Sequence, residues 1–118
     1  MLVERHRALA TQHGVDLQAP PLDTLAGSFD IVINATASSM TGGGVPVPAQ
    51  ALKSGALACD LMYGPAAEGF LTWAREHGGV GRDGLGMLVE QAAEAFLVWR
   101  GVRPLSAGVL AELRATLA

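Results

Sequence analysis

Short apolar runs alternate with helical patterns along this chain, and the alternation constrains its fold more than any other feature. Residues 29–34 and 56–63 are the two longer runs, and residues 80–81 form a very short third one. Helical patterns cover residues 4–13, 49–52, 66–77 and 83–99, and a last one follows Ser106. Such alternation is typical of a layered α/β protein with right-handed crossovers. We therefore predict a parallel sheet flanked by helices. Apolar and polar residues do not alternate cleanly in its first strand, so we expect this strand to be covered on both faces.

Two of the helical patterns also predict which side chains face the core. In residues 66–77 the inward positions are Phe70, Leu71 and Trp73. After Gly101 and Pro104, Ser106 can cap the last helix, because a serine hydroxyl can accept a hydrogen bond from a free backbone N–H. One face of this last helix is apolar and comprises Val109, Leu110, Leu113 and Leu117. The glycine- and proline-rich residues 41–48 are predicted to form a loop.

Composition excludes several classes of partner. The 118 residues suffice for one domain; half of them are hydrophobic, the net charge is −3, and the eight basic residues are scattered. Without a basic cluster, neither nucleic acid nor a membrane surface is an expected partner. The single cysteine, Cys59, forms no internal disulfide and fits a reducing compartment, so a cytoplasmic location is expected. The chain has no apolar run of about 20 residues and no signal-peptide pattern.

Residues 83–99 join a glycine-rich turn directly to a helix. The predicted buried stripe of this helix comprises Leu85, Leu88, Val89, Ala92, Phe96 and Trp99. Gln91 lies at the edge of that stripe, where its amide can bind a ligand or a neighbouring loop. Gly84 and Gly86 allow the backbone to approach a flat ligand closely, near the free N–H groups of the helix start. Asp83 can equally be a simple helix N-cap.

Polar residues follow each predicted strand, where ligands bind in open parallel α/β sheets. Asn34 and Thr36 follow the first strand, and Asp60 and Tyr63 end the second. Each residue also has an ordinary structural explanation. Asn34 and Thr36 can form a local turn, and Asp60 can bind a nearby backbone N–H. Tyr63 can reach a ligand from an apolar wall or serve only in packing.

Other polar residues give no strong indication of chemistry. His6, His13 and His77 are far apart, so no metal site is predicted. Ser38 and Ser39 lack the glycine-flanked turn of a serine nucleophile, so covalent catalysis is not indicated. The glycines at residues 42–44 can cradle a phosphate, but they do not lead into a helix, and a flexible loop is the favoured interpretation.

Three ordered segments closely resemble the carboxyl-terminal half of shikimate dehydrogenases. They are Ile-Asn-Ala-Thr at residues 33–36, Asp-Leu-Met-Tyr-Gly-Pro at residues 60–65, and Asp-Gly-Leu-Gly-Met-Leu-Val-Glu-Gln-Ala-Ala at residues 83–93. The resemblance runs from about residue 3 to the end of the chain. It implies the distal half of a Rossmann-like NADP-binding domain spanning residues 1–118, with carboxyl-terminal helices. The implied reaction is hydride transfer between NADP(H) and the 3-position of shikimate or 3-dehydroshikimate, in aromatic amino-acid biosynthesis.

The same resemblance implies roles for individual residues. Tyr63 and Gln91 match positions that bind the substrate hydroxyl groups, and Leu61 and Gly84 match positions whose backbone contacts the nicotinamide end of NADP. Arg5 falls near the end of the loop that binds the 2′-phosphate. The sequence departs from the family pattern at Ser39, at Gly64 and at residues 68–69, which leaves the shapes of those loops open.

The resemblance also implies that the catalytic residues are not in this chain. A full family member has an amino-terminal domain with a catalytic lysine and aspartate, a glycine-rich dinucleotide loop and an Asn-Arg-Thr phosphate clamp. Lys53, the only lysine, lies on the wrong segment to replace that lysine. We therefore expect no catalytic residue in the chain and no activity from it alone. The alternative is a stand-alone half-Rossmann module that binds or interacts without catalysis, and in either case an exposed sheet edge favours self-association.

Overall fold

A computed structural model describes residues 2–37, 44–45 and 47–117 of the chain. Within these residues, three strands form one parallel sheet in the order β1-β2-β3. The strands are β1 (Phe29–Asn34), β2 (Leu52–Asp60) and β3 (Val80–Arg82). The helices are α1 (Leu2–Gln12), α2 (Glu68–Glu76), α3 (Leu85–Arg100) and α4 (Ser106–Leu117), with short 3-10 turns at Leu22–Thr24, Ala49–Ala51 and Gly64–Ala67. The predicted α/β architecture is confirmed, although β2 begins and ends earlier than the predicted residues 56–63.

Helix α2 packs closely against β2 and β3. Phe70 and Ala74 of the helix are buried against three small or branched side chains of β2, Leu52, Ala56 and Ala58. Leu71 and Trp73 are partly buried beside this cluster, so the predicted inward face of α2 is confirmed. Of the ten buried hydrophobic residues described, six are alanines. Three of these alanines, Ala56, Ala58 and Ala74, lie between α2 and the sheet beside the larger Phe70 and Leu52, so the helix approaches the sheet closely at the alanine positions.

Strand β1 is covered on one face only, so the prediction of two covered faces is wrong for the described structure. Val32 is half-buried and Asn34 is buried, whereas Ile31 and Ile33 are 59% and 58% exposed. Successive side chains of a strand point to opposite faces, so this alternation identifies an open face. The sheet order also makes β1 an edge strand among the described residues.

The buried face of α3 also differs from the predicted stripe. The buried residues are Leu85, Val89 and Ala93, spaced four apart. The other predicted members, Leu88, Ala92, Phe96 and Trp99, are exposed, and Trp99 is 77% exposed. The cause is that only the first part of α3 packs against the rest of the protein. The residues at i, i+4 and i+8 make this contact, and the part of the helix after Ala93 has no buried residue.

Helix α4 folds back onto α3 and is held there by polar contacts. Gly101 ends α3 in the left-handed conformation, with φ of 72°, and its N–H donates to the carbonyl of Leu97 at 2.8 Å. Arg103 then donates to Glu90 Oε2 at 2.6 Å and pairs with Glu94. Ser106 is predicted to cap this helix from the position before it, but it is the first residue of α4, and its hydroxyl donates to Glu90 Oε1 at 2.6 Å.

The apolar face predicted for α4 is only partly covered. Leu110 and Leu113 are half-buried, whereas Val109 and Leu117 remain exposed. None of the helices in the described residues is long and apolar enough to cross a membrane.

Candidate functional site

The carboxyl ends of the three strands meet at one edge of the sheet. Asn34 of β1 is in register with Asp60 of β2, and Cys59 of β2 is in register with Arg82 of β3. Parallel pairing therefore brings together the three segments that the sequence predicts to lie at this edge. We call this edge the carboxyl rim and define it as residues 34–36, 60–64 and 83–84.

A buried hydrogen-bond network joins the first two segments of the rim. The Asn34 amide donates to Asp60 Oδ2 at 3.2 Å, and the backbone N–H of Met62 donates to Asp60 Oδ1 at 2.8 Å. The backbone N–H of Leu61 donates to the Asn34 carbonyl at 3.1 Å. Asp60 is only 1% exposed, so its carboxylate is used within the protein rather than presented to solvent. The structural explanation of Asp60, binding a nearby backbone N–H, is thus confirmed.

Asn34 also organises the turn that follows β1. Both the backbone N–H and the hydroxyl of Thr36 donate to Asn34 Oδ1, at 3.1 Å and 2.7 Å. An asparagine that binds the backbone two residues later is a recognised turn device. The local-turn explanation is confirmed for both residues, and it fixes the direction in which the chain leaves the rim.

Gly84 packs directly against the backbone that follows β2. Its N–H donates to the carbonyl of Met62 at 2.7 Å. A Cβ atom added at Gly84 would lie 2.1 Å from the carbonyl oxygen of Leu61 and 3.2 Å from that of Asp60. Since real Cβ contacts are essentially never that short, this position requires glycine for the close backbone approach, although its φ of −83° is ordinary. Within the described residues the close approach at Gly84 is to the backbone of Leu61, whereas the sequence prediction concerned a flat ligand.

An ion pair anchors the turn that leads from β3 into α3. Arg114 of α4 donates to Asp83 Oδ2 at 2.5 Å and to Asp83 Oδ1 at 2.6 Å. Oδ1 also accepts a hydrogen bond from the backbone N–H of Leu85 at 3.2 Å. Asp83 therefore binds a free N–H of the helix start, but the N-cap position predicted for it is occupied by Gly84, one residue later. The Asp83 side chain is only 9% exposed, whereas that of Arg114 is 49% exposed.

This ion pair changes the proton affinity of both partners. The hydrogen bonds from Arg114 are the largest cause that lowers the pKa of Asp83, and the backbone N–H groups of Leu85 and Gly64 lower it further. Desolvation opposes them but does not reverse the shift. The Asp83 carboxylate in turn raises the pKa of Arg114. Asp83 thus remains ionised and connects α4 to the start of α3.

The residues assigned by resemblance lie in three places. Leu61 and Gly84 are in contact at the rim. Tyr63, two residues after Leu61, has 39% of its surface exposed. Gln91 is exposed on α3, where its amide donates to the carbonyl of Leu88, one turn earlier, at 3.0 Å. Arg5 is exposed on α1. In the described part of the chain no hydrogen bond or ion pair links Arg5 to the rim.

Some of the residues considered in the sequence analysis lie outside the described part of the chain, and others are exposed. Ser38 and Ser39 lie outside the described residues, as do residues 42 and 43 of the glycine run. His6 and His77 are exposed and bond to backbone carbonyls of their own helices, and His13 is also exposed. Among the residues that the structure covers, there is no group of three or more His, Cys, Asp or Glu side chains suited to a metal ion.

Comparison with known proteins identifies this arrangement. The model of the shikimate 5′-dehydrogenase carboxyl-terminal domain matches residues 84–114, from the glycine of the rim to the arginine of the ion pair. Shikimate dehydrogenase (NADP(+)) of Methylibium petroleiphilum is 65% identical over 116 residues, which are 98% of this chain and 40% of that protein. The chain matches the carboxyl-terminal part of shikimate dehydrogenases. It spans about two fifths of the length of the curated relatives that it matches.

Solved structures agree with the family and the fold. Shikimate 5-dehydrogenase of Thermus thermophilus, in complex with NADP(H) and shikimate, is 32% identical with a TM-score of 0.72 over 98% of this chain and 43% of that one. The 5-ketofructose reductase of a Gluconobacter strain is 28% identical, with a TM-score of 0.75 over 97% of this chain and 43% of that one. The prediction of a Rossmann-like sheet in a shikimate dehydrogenase is confirmed.

Sequence reasoning missed the role of Arg114. Asp83 and Arg114 are 31 positions apart, and their contact depends on the angle at which α4 returns along α3. One signal was present in the sequence: Glu90, Glu94 and Arg103 flank the α3–α4 connection with complementary charges, which favours a closed hairpin. These charges predict that α3 and α4 form a hairpin, but they do not predict that Arg114, near the end of α4, pairs with Asp83.

Proposed function

We propose that this chain is the distal part of the NADP-binding domain of a shikimate dehydrogenase, where it forms one wall of the pocket for substrate and nicotinamide. The reaction is the reversible, NADP-dependent reduction of 3-dehydroshikimate to shikimate. When bound, NADPH would supply the hydride for the reduction, and NADP+ would accept it in the reverse direction. The observation that supports the proposal most strongly is the meeting of Leu61 and Gly84 at the carboxyl rim, beside the exposed Tyr63, in a chain of this family.

The described rim is chemically suited to hold the nicotinamide end of NADP. Leu61 and Met87 present apolar surface at the rim and at the helix start, as a flat aromatic ring requires. The hydrogen bonds of Leu61 to Asn34 and of Met62 to Gly84 hold the backbone in one position before a ligand arrives. In this proposal Leu61 and Gly84 contact the cofactor and Arg5 lies toward its 2′-phosphate.

Tyr63 and Gln91 are proposed to bind the substrate hydroxyl groups. A phenol hydroxyl and a side-chain amide can each donate and accept hydrogen bonds, which is what a polyhydroxylated ring requires. The Leu88 carbonyl accepts only one N–H of the Gln91 amide, so the second N–H and Oε1 can bind a substrate hydroxyl group while that contact is kept. The catalytic acid and base are assigned to the region of the relatives that this chain does not match, so no catalytic role is given to any of its residues. A cytoplasmic location fits the lone Cys59.

A chimera tests the proposal. In the Methylibium petroleiphilum shikimate dehydrogenase, the matching 40% is replaced by this chain, and NADP-dependent oxidation of shikimate is followed by NADPH absorbance. The chimera is expected to be active, and the 118-residue chain alone inactive. A chimera that folds, as judged by circular dichroism, but shows no activity would contradict the proposal. Turnover by the chain alone would contradict the assignment of the acid and base.

Substitutions in the chimera test the substrate contacts. Tyr63→Phe removes only a hydroxyl, and Gln91→Ala removes an amide; each is expected to lower kcat/KM for shikimate about tenfold, the value of one hydrogen bond of about 1.4 kcal/mol. The matched control is Gln50→Ala, an exposed amide beside the opposite end of β2, which is expected to leave kcat/KM unchanged. Equal losses of kcat/KM in Gln50→Ala and Gln91→Ala would contradict the proposed substrate contact of Gln91.

The alternative function, a stand-alone binding module, rests on the open face and edge of β1. Exposed Phe29, Ile31 and Ile33 lie on an edge strand of the described sheet, and such edges pair with other chains. For the isolated chain we propose self-association through this edge, measurable by sedimentation velocity. A monomer at high concentration would contradict it. The module itself is favoured if the isolated chain is stably folded and the chimera is inactive.

A further inference from the structure

We propose that Arg114 is a positioning residue for the pocket: through Asp83, it fixes the turn that carries Gly84 and the start of α3. This inference rests on the proposed function, because it assigns a purpose to the turn. Arg114 itself lies on the last helix and touches neither Leu61 nor Gly84 in the contacts described. Its effect must therefore pass through the carboxylate of Asp83.

The geometry of the pair makes it well suited to hold a turn. Two parallel N–H···O contacts, at 2.5 Å and 2.6 Å, match the planar fork of a guanidinium to both carboxylate oxygens. The Asp83 side chain is nearly buried, so this pair is less screened than ordinary surface ion pairs. A bidentate pair fixes orientation as well as distance, and the backbone of residues 83–84 is oriented with it.

The carboxylate of Asp83 transmits this constraint to the pocket through the start of α3. Its Oδ1 accepts the N–H of Leu85, which sets the first turn of α3. Gly84 lies between these two residues and packs on the backbone of Leu61. The turn that this one charged group holds therefore carries the proposed nicotinamide contact.

Helix α4 is rigid enough to act as the support. Its first residue, Ser106, and the preceding Arg103 are bonded to Glu90 in the middle of α3. Arg114, two turns later, is bonded to Asp83 just before α3 begins. The helix is therefore attached to α3 at both ends, and the attachment beside Glu90 is one residue from Gln91.

The experiment uses the chimera and compares Arg114→Ala with Asp83→Asn and with the double variant. Arg114→Ala is expected to lower kcat/KM about tenfold, equivalent to about 1.4 kcal/mol. Because Arg114 acts through Asp83, it should have little further effect in the Asp83→Asn background. Arg114→Lys keeps the charge without the planar fork and should restore activity only partly. Arg100→Ala, an exposed arginine on α3, is the matched control and should leave the kinetics unchanged.

A second measurement is independent of activity. Hydrogen exchange of the Leu85 and Gly84 amides in the 118-residue chain is expected to accelerate about tenfold in Arg114→Ala, while amides of β2 keep their protection. Additive effects in the double variant, or unchanged exchange at both amides, would overturn the positioning role. An inactive unsubstituted chimera would instead contradict the proposed function, and the exchange result would still decide on the ion pair.

Discussion

Replacement of Gly84 by alanine adds one methyl group at the most crowded point of the rim. The methyl carbon would be 2.1 Å from the Leu61 carbonyl oxygen and 2.6 Å from its carbon. Neither atom belongs to a flexible side chain. The Leu61 N–H is bonded to Asn34, and the neighbouring Met62 carbonyl accepts the N–H of Gly84 itself. The strain therefore has to be relieved by separating α3 from β2.

The expected cost is at the upper end of the range for overpacking. Inserted methyl groups commonly destabilise a packed site by about 1–3 kcal/mol, and backbone neighbours leave little room for relaxation, so we expect about 3 kcal/mol. That is a large part of the total stability of a typical domain, which is about 5–15 kcal/mol. With a urea dependence of about 1–3 kcal/mol per molar, the midpoint should fall by at least about 1 M.

Gly86 provides a matched control two residues away. Among the described residues, no atom outside the backbone of its own helix and its chain neighbours lies within 4 Å of a Cβ added there, and the residue is inside α3. Gly86→Ala should therefore stabilise the chain by about 0.5–1 kcal/mol, because alanine favours helix. Urea unfolding of the 118-residue chain, followed by circular dichroism, measures both variants. Stabilities of Gly84→Ala and the unsubstituted chain that agree within about 0.5 kcal/mol would refute the steric argument.

Two further predictions concern the polar groups of the rim. Because the folded-state pKa of Asp83 is lowered, its contribution to stability should be complete above its ordinary pKa near 4 and be lost as pH falls through the lowered value. The gap in urea midpoint between the unsubstituted chain and Asp83→Asn should thus narrow below about pH 4, and parallel profiles would contradict the shift. Asn34→Ala removes a donor to buried Asp60 and should cost about 2 kcal/mol in urea unfolding, whereas Asp30→Ala, which breaks an exposed pair with Lys53, should cost less than about 1 kcal/mol. If Asn34→Ala and Asp30→Ala lower the free energy of unfolding equally, the buried network contributes no more to stability than an exposed ion pair does.

The sequence predicted the order of elements and the rim because both depend on local patterns. Asn34 and Asp60 each end an apolar strand, Asp83 directly follows β3, and parallel pairing places the three together. The buried faces were harder to predict. In β1, residues 31–33 are all apolar, so nothing in the local sequence distinguishes the covered Val32 from the exposed Ile31 and Ile33.

The error in α3 has a similar cause. Periodicity predicts an apolar stripe but not the length over which the stripe is in contact with other elements. Trp99 belongs to the stripe and is exposed, because α3 extends beyond the region that covers Leu85 and Val89. The Asp83–Arg114 pair was also beyond sequence reasoning, since it depends on the path of α4 in three dimensions.

The alanine-lined layer between α2 and the sheet has a consequence for how this domain tolerates mutation. Ala58 and Ala74 are fully buried, and a Cβ at Gly81 would already be 3.2 Å from Leu71. Removing a methyl group from such positions deletes little buried area, whereas adding one separates two layers along their whole contact. Substitutions by larger residues in this layer should therefore destabilise the domain more than substitutions by smaller ones. The substitutions that it tolerates are those that keep the distance between α2 and the sheet unchanged.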